Sequence, residues 1–276
     1  RSGHSFPTRR SSDLLKNEFL VEGSVCDRNK LEDLFIKLKP DVVIHSAASY
    51  KNPNNLYGDA ETNILGSINI GYLSKKYNVS KVINFQTALC YGFPNKIPIP
   101  VNHSTNPFTS YGMSKTFGES YLKSMKIPLI SLRLANICSK NLSIGPIPTF
   151  YKRLKEGKKC FCVDAKRDFL DFEDFYKLLH KIIFESKTFG IYNVTSGEGK
   201  SILDIYKAIA NYLEIEFKSP QVKKISKDDI SEVVLDSSET YKKFNWRPKI
   251  SFTKMIINQL EYYDKNGIPN IYSHLK

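Results

Sequence analysis

The sequence predicts an α/β fold: a doubly wound parallel sheet with helices on both faces, joined to a smaller α+β region. Three observations predict it. Short apolar runs alternate with amphipathic helical stretches through the first half of the chain. Those runs, such as Asp41-Val42-Val43-Ile44-His45 and Lys81-Val82-Ile83-Asn84-Phe85, lack the alternation of a half-exposed sheet, which fits burial on both sides. After Asn136 the pattern loosens into helices with few strands.

The elements follow in order. Residues His4 to Leu14 resemble the in-frame translation of a common sequencing adapter, so 1–14 are read as a non-native leader and the native start as missing. Phe19–Val25 reads as a strand. Asp27 can cap a helix with apolar positions at Leu31, Leu34, Phe35 and Leu38. The strand Asp41–His45 ends in the small residues Ser46-Ala47-Ala48-Ser49, and a long helix covers Asn55 to Tyr77. Lys81–Phe85 is a buried strand, a helix opens near Ser110 and runs to Met125, and Leu129–Leu134 is the next strand. Beyond it come a helix over Pro148–Glu156, a strand over Lys159–Val163, a helix over Phe172–Glu185 and a strand over Ile191–Val194. Helices over Ile202–Leu213, Ser238–Phe244 and Phe252–Asn266 complete the chain. The expected division is a sheet domain over 15–145, lacking its first strands, and a second subdomain over 146–276 with some segments returning to the sheet.

Composition narrows the function classes. A hydrophobic fraction of 41% gives a sizeable core, and no apolar run reaches membrane-spanning length. The five cysteines are odd in number and hold no C-x-x-C, which fits reduced thiols in the cytoplasm better than disulfides or a metal site. The net charge is +13, yet the lysines are scattered and no basic cluster is interleaved with aromatics. Nucleic acid is therefore not the expected partner. Arginine is scarce beside lysine, so Arg133 and Arg167 hint at places where the planar fork is needed.

The chemistry is expected in Pro107-Phe108-Thr109-Ser110-Tyr111-Gly112-Met113-Ser114-Lys115. With a cap at Thr109 or Ser110, Tyr111 and Lys115 share one helix face. An ammonium beside a phenol favours the phenolate, which could take a proton from a hydroxyl. The spacing alone is weak, because it recurs at Tyr72/Lys76, Tyr77/Lys81, Tyr151/Lys155 and Tyr272/Lys276. Position separates them. Ligands of open parallel sheets bind beyond the carboxyl ends of the strands, where Ala47-Ala48, Thr87 and Asn136 lie. Only the Tyr111 helix begins between two such ends, after Thr87 and before Asn136. His45 and Cys90 read as buried core residues.

At these residues the chain resembles the extended short-chain dehydrogenase/reductase family, and within it the nucleotide-sugar epimerases and dehydratases of surface-polysaccharide pathways. The carriers are His45-Ser46-Ala47-Ala48, Asn63 in Thr62-Asn63-Ile64-Leu65-Gly66, Thr87 to Gly92, Tyr111 to Lys115, Arg133 with Asn136, Arg167 to Asp174, Asn193-Val194 and Asn245-Trp246-Arg247-Pro248. The resemblance implies a Rossmann-like domain and NAD as cofactor, with NADP open. It implies that Thr87 orients the sugar, that Tyr111 is the acid/base, and that Lys115 also holds the nicotinamide ribose. It places Ser24, Val25, Ala47, Ala48, Asn63 and Ala135 at the cofactor, Asn63 also fixing the site's geometry. Asn136, Phe161 and Arg167 fall to the sugar nucleotide, with Phe161 at the base and Arg167 forked on the diphosphate. It further implies a homodimer built on the two long helices.

Two departures matter. The glycine-rich phosphate loop G-x-x-G-x-x-G of this family is absent from the sequence, and Ser24 stands where an Asp is usual. The family's 4,6-dehydratases carry Asp-Glu after the strand-end threonine, where this chain has Ala88 and Leu89. Neither has a proton to move. The resemblance with this departure implies a C4 epimerase acting on a UDP-hexose derivative. The competing readings are a 4,6-dehydratase, a 4-keto-sugar reductase, a non-catalytic nucleotide-binding protein and an inactive fragment.

Overall fold

The computed structural model describes residues 20–50, 54–216, 218–225 and 229–269. Asp27 caps α1 (Arg28–Leu38) by accepting the Lys30 amide, and Phe35 turns inward. Strand β1 (Val42–His45) follows. The expected long helix is one run in three parts: α2 (Leu56–Asp59), a π-helical stretch (Ala60–Leu65) and α3 (Gly66–Lys76). Strand β2 (Lys81–Thr87) enters a 3₁₀ turn (Ala88–Tyr91), and Thr109 caps α4 (Ser110–Ser124). Next come β3 (Leu129–Leu134), β4 (Asn136–Cys138), α5 (Pro146–Lys155), β5 (Phe161–Val163) and β6 (Lys166–Asp171). The remainder is α6 (Phe172–Phe184), β7 (Gly190–Val194), β8 (Gly199–Ser201), α7 (Ile202–Tyr212), β9 (Gln221–Lys223), β10 (Glu232–Val233), α8 (Ser238–Phe244) and α9 (Phe252–Asn266).

The main sheet is parallel throughout, in the order β1-β2-β3-β7. Its two faces are covered by different helices. Val82 and Leu129 meet Phe35, Ile70, Leu73 and Leu122 of α1, α3 and α4. Ile83, Ile130 and Leu132 meet Phe175, Leu178 and Ile182 of α6. This is the doubly wound, Rossmann-like arrangement that the apolar strands predicted. A second cluster joins α5, α7 and α9 around Ile147, Phe150, Ile205, Ile209 and Leu260. Between the two lies a small mixed sheet, β10-β6-β4 with β8 antiparallel to β6.

Two expectations change. The strand over Phe19–Val25 is not formed: the described residues from Leu20 onward take no ladder hydrogen bonds. A strand persists only where a neighbour takes its backbone groups. Here the Val25 carbonyl is taken by Asn69 Nδ2 (3.0 Å), and Val25 lies so close to Gly66 that a Cβ there would fall 2.5 Å from it. The segment is thus held by α3 rather than by the sheet. The strand expected from Lys159 begins only at Phe161.

Candidate active site

Thr87 ends β2 and opens the 3₁₀ turn by accepting the Leu89 amide at 3.2 Å. Its hydroxyl hydrogen is left to favour the Tyr111 phenolate. Tyr111 lies in the first turn of α4, which Thr109 starts by accepting the Gly112 amide at 3.0 Å. Gln86 clamps the two elements together. Its Oε1 accepts the Thr87 amide (2.7 Å) and its Nε2 donates to the Lys115 carbonyl (2.9 Å). Sequence reading passed over Gln86, although its place one residue before a strand-end threonine was a usable signal.

The electrostatics differ from expectation. Burial pushes the Tyr111 phenol up to about 12, with the Thr87 hydrogen bond opposing. Burial also pulls Lys115 down to about 8, and the Glu119 carboxylate opposes that shift. The expected lowering of Tyr111 by Lys115 is therefore not what governs the phenol: desolvation disfavours both charged forms. Lys115 is only 3% exposed, and no hydrogen bond to its ammonium is formed among the described residues. A buried ammonium with its donors free is suited to ligand hydroxyls.

Asn63 is fully buried and its amide is spent inside the protein. Oδ1 accepts the Ser49 amide, while Nδ2 donates to the Ser49 carbonyl and to Ser114 Oγ, each at 2.9 Å. Both amide hydrogens are thus used within the protein, tying the loop after β1 to α4. Gly118 of α4 completes this contact, since a Cβ there would stand 2.3 Å from the Asn63 carbonyl oxygen. His45 is likewise structural. Ser67 gives its hydroxyl hydrogen to the Asn63 carbonyl, so His45 Nε2 must be the donor to Ser67 Oγ at 3.0 Å. Burial and Lys115 hold that imidazole neutral, with its pKa down to about 3. Burial raises the Cys90 thiol to about 12.

Arg133 uses its fork within the protein. It donates to Glu119 Oε2 (2.8 Å), the Tyr91 hydroxyl (3.0 Å) and the Val101 carbonyl (3.2 Å). Ser131 and Asn84 extend this buried chain on one side and Asn193 on the other. Arg167 does not stand free for a diphosphate: Asp229 holds it at 3.0 Å and the Lys166 carbonyl at 2.9 Å. Diphosphate binding at Arg167 would need Asp229 displaced. Asn136 donates to the Asp168 carbonyl (2.9 Å), so β4 and β6 hold it near the Arg167 strand. Phe161 is half exposed on β5 with the Lys223 ammonium 4.0 Å above its ring.

The remaining residues lie as follows. Ala47 and Ala48 are half-buried beyond β1, and Ala135 donates its amide to the Val194 carbonyl at 3.0 Å. Ser24 is exposed and Val25 half-buried in the segment held by α3. Two surface cavities of about 310 and 690 Å³ lie elsewhere, beside Ser196, Tyr241 and Arg247. Neither touches Thr87, Tyr111 or Lys115.

The comparisons with known proteins agree with this arrangement. The chain superposes on the crystal structure of the Bordetella bronchiseptica enzyme WbmG in complex with NAD and UDP with a TM-score of 0.88. The identity is 47%, covering 93% of this chain and 83% of that one. It superposes on UDP-glucose 4-epimerase with UDP-glucose from Thermotoga maritima with a TM-score of 0.84 at 25% identity, covering 94% and 88%. A dTDP-D-glucose 4,6-dehydratase of Dictyostelium discoideum is 31% identical over 213 residues, which are 69% of this chain and 49% of that protein. The family description "NAD dependent epimerase/dehydratase family" matches residues 1–195. With its parallel sheet, strand-end threonine and Tyr111/Lys115 pair on α4, this chain belongs to the NAD dependent epimerase/dehydratase family.

Proposed function

We propose that the protein is a C4 epimerase of a UDP-hexose derivative, using NAD, in surface-polysaccharide biosynthesis. One observation carries the reading. The two residues after the strand-end Thr87 are Ala88 and Leu89, which cannot protonate a leaving hydroxyl or remove a carbon-bound proton. Dehydration needs both steps. The likeness to WbmG with NAD and UDP, and to a UDP-glucose 4-epimerase, supports the nucleotide and the cofactor.

The buried Lys115 ammonium fits the cofactor's ribose hydroxyls, and Ala47, Ala48 and Ala135 leave room for its flat parts beside Val25 and Ser24. Bound NAD supplies hydride exchange at the sugar carbon and a positive charge beside the phenol. Tyr111 takes the C4 hydroxyl proton, with Thr87 donating to its oxygen. After the 4-keto sugar has presented its other face, Tyr111 returns the proton. Asn136 and Phe161 serve the sugar nucleotide, as does Arg167 once Asp229 is displaced. Incubation with UDP-hexoses should give a C4-epimer mixture with no net change in nicotinamide absorbance. A 4-keto-6-deoxy product, or net NADPH consumption, would sink the reading.

The active form is a homodimer, and the protein works in the cytoplasm, where its five cysteines, all free, stay reduced. No helix of the described residues is long and apolar enough to cross a membrane. Met113, Phe117 and Tyr121 recur every fourth residue on the outer face of α4, and Leu65 and Tyr72 are exposed on the neighbouring long helix. A second copy placed there would cover one continuous apolar face. Phe117, 56% exposed, is its centre, so Phe117→Glu should convert the dimer to monomer in light scattering. A dimer that survives this change places the interface elsewhere.

A further inference from the structure

Asp59 stands at the last residue of α2, 1% exposed. Its carboxylate holds two hydroxyls: Ser49 Oγ donates to Oδ1 at 2.7 Å and Ser110 Oγ to Oδ2 at 2.6 Å. Four residues on, Asn63 binds the backbone of the same Ser49 and the side chain of Ser114. Ser110 and Ser114 are themselves four apart on α4. The two helices are thus joined by two rungs that share Ser49. Tyr111 and Lys115 each follow a rung serine by one residue. The π turn begins directly after Asp59, and such turns re-aim side chains where function needs it.

We propose that Asp59 is a positioning residue for Tyr111, fixing the first turn of α4 against the loop after β1 and so setting where the phenol meets the sugar hydroxyl. This rests on the reading of Tyr111 as the acid/base. The rung at Lys115 is built from a neutral amide, whereas the rung at Tyr111 uses a carboxylate. Hydroxyl donors bind an ionised acceptor more strongly than a neutral one. The groups that act on the phenol are the Thr87 hydroxyl from β2, Tyr50 from the loop after β1 and Asp59 from α2. Among them, Tyr50 and Asp59 hold the phenol pKa up.

Asp59→Asn keeps the shape and removes the charge. In the full protein with its cofactor, kcat should fall up to about 100-fold while KM for the sugar nucleotide stays near wild type. The rising limb of kcat against pH should move to lower pH, since the charge that disfavours the phenolate is gone. The phenolate absorbance, taken as the difference from the matching Tyr111→Phe protein, should titrate in the same direction. Ser110→Ala should lower kcat without that move to lower pH, and Ser110→Thr, which keeps the hydroxyl, should recover most of the loss. If Tyr111→Phe itself keeps turnover, the acid/base reading fails and this one with it. If Tyr111→Phe is inactive but Asp59→Asn retains wild-type kcat and limb position, the positioning role alone is overturned. Should Asp59→Asn not fold, Ser49→Ala and Ser110→Ala decide: wild-type kcat in both overturns the proposal, and a loss recovered by Ser110→Thr supports it.

Discussion

Tyr111→Phe is expected to abolish epimerisation while UDP still binds. Phe keeps the ring in its slot against Tyr50, whose centroid lies 6.0 Å away, and removes only the oxygen that exchanges the proton. A positioned acid/base group contributes about 10² to 10⁴ in rate, so the residual activity should be lower than wild type by at least that factor. Folding should change little. Thr87 still accepts the Leu89 amide, so the turn after β2 is kept. Calorimetric binding of UDP, unfolding in urea and product analysis separate the effects. A variant that folds, binds and still turns over near the wild-type rate would remove Tyr111 from the chemistry. The phenol's high pKa adds a second point. At about 12 in the protein alone, it is a poor base at neutral pH. Its activation must come from positive charge brought beside it on binding, not from Lys115 alone.

The helix start and strand end that frame the proposed catalytic stretch were legible in the sequence because their cause is local. Thr109 caps α4, Thr87 ends β2, and both can be read within a few residues. The rival Tyr-x-x-x-Lys pairs show the same logic from the other side. Lys81 of Tyr77/Lys81 is buried against the carbonyls of Ile183 in the last turn of α6 and Ser186 just beyond it. In Tyr151/Lys155 both groups bond to Asp264, and Tyr72 carries the Arg28 guanidinium 4.1 Å above its ring. Tyr272/Lys276 lies outside the described residues. What was not legible depends on distant partners. Asp59 and Glu119 carry no local signal in the sequence, and only the fold brings Ser110 and Arg133 to them, 51 and 14 residues away. The strands β4, β6, β8, β9 and β10 are two to six residues long and exist only through pairing with one another or with β5. Their residues, such as Lys166-Arg167-Asp168, have no strand pattern of their own. The sign of the Tyr111 shift was also out of reach. Spacing places a lysine near a tyrosine, but burial, which governs both groups, is a property of the whole fold.

Arg133→Met should be the most destabilising single change near the site. Arg133 and Glu119 are both buried and meet at 2.8 Å, with Ser131 as the other donor to the carboxylate. Methionine fills much of the arginine stem's volume but leaves the Glu119 charge without its cation in a desolvated place. Breaking a buried pair from one side costs about 3–5 kcal/mol, a large share of the ~5–15 kcal/mol that holds a domain together. The effect should reach the chemistry as well. Glu119 lies one turn beyond Lys115 on α4 and holds the lysine pKa up. Unfolding in urea, measured for Arg133→Met, Glu119→Leu and the double variant, tests the account. Each single change should lose several kcal/mol. The double change should lose much less than their sum, because no buried charge is then left unpaired. Additive losses would mean that Arg133 and Glu119 stabilise the fold independently, Arg133 through Tyr91 and Val101 alone. The ion pair would then not be what seats α4 on the end of β3.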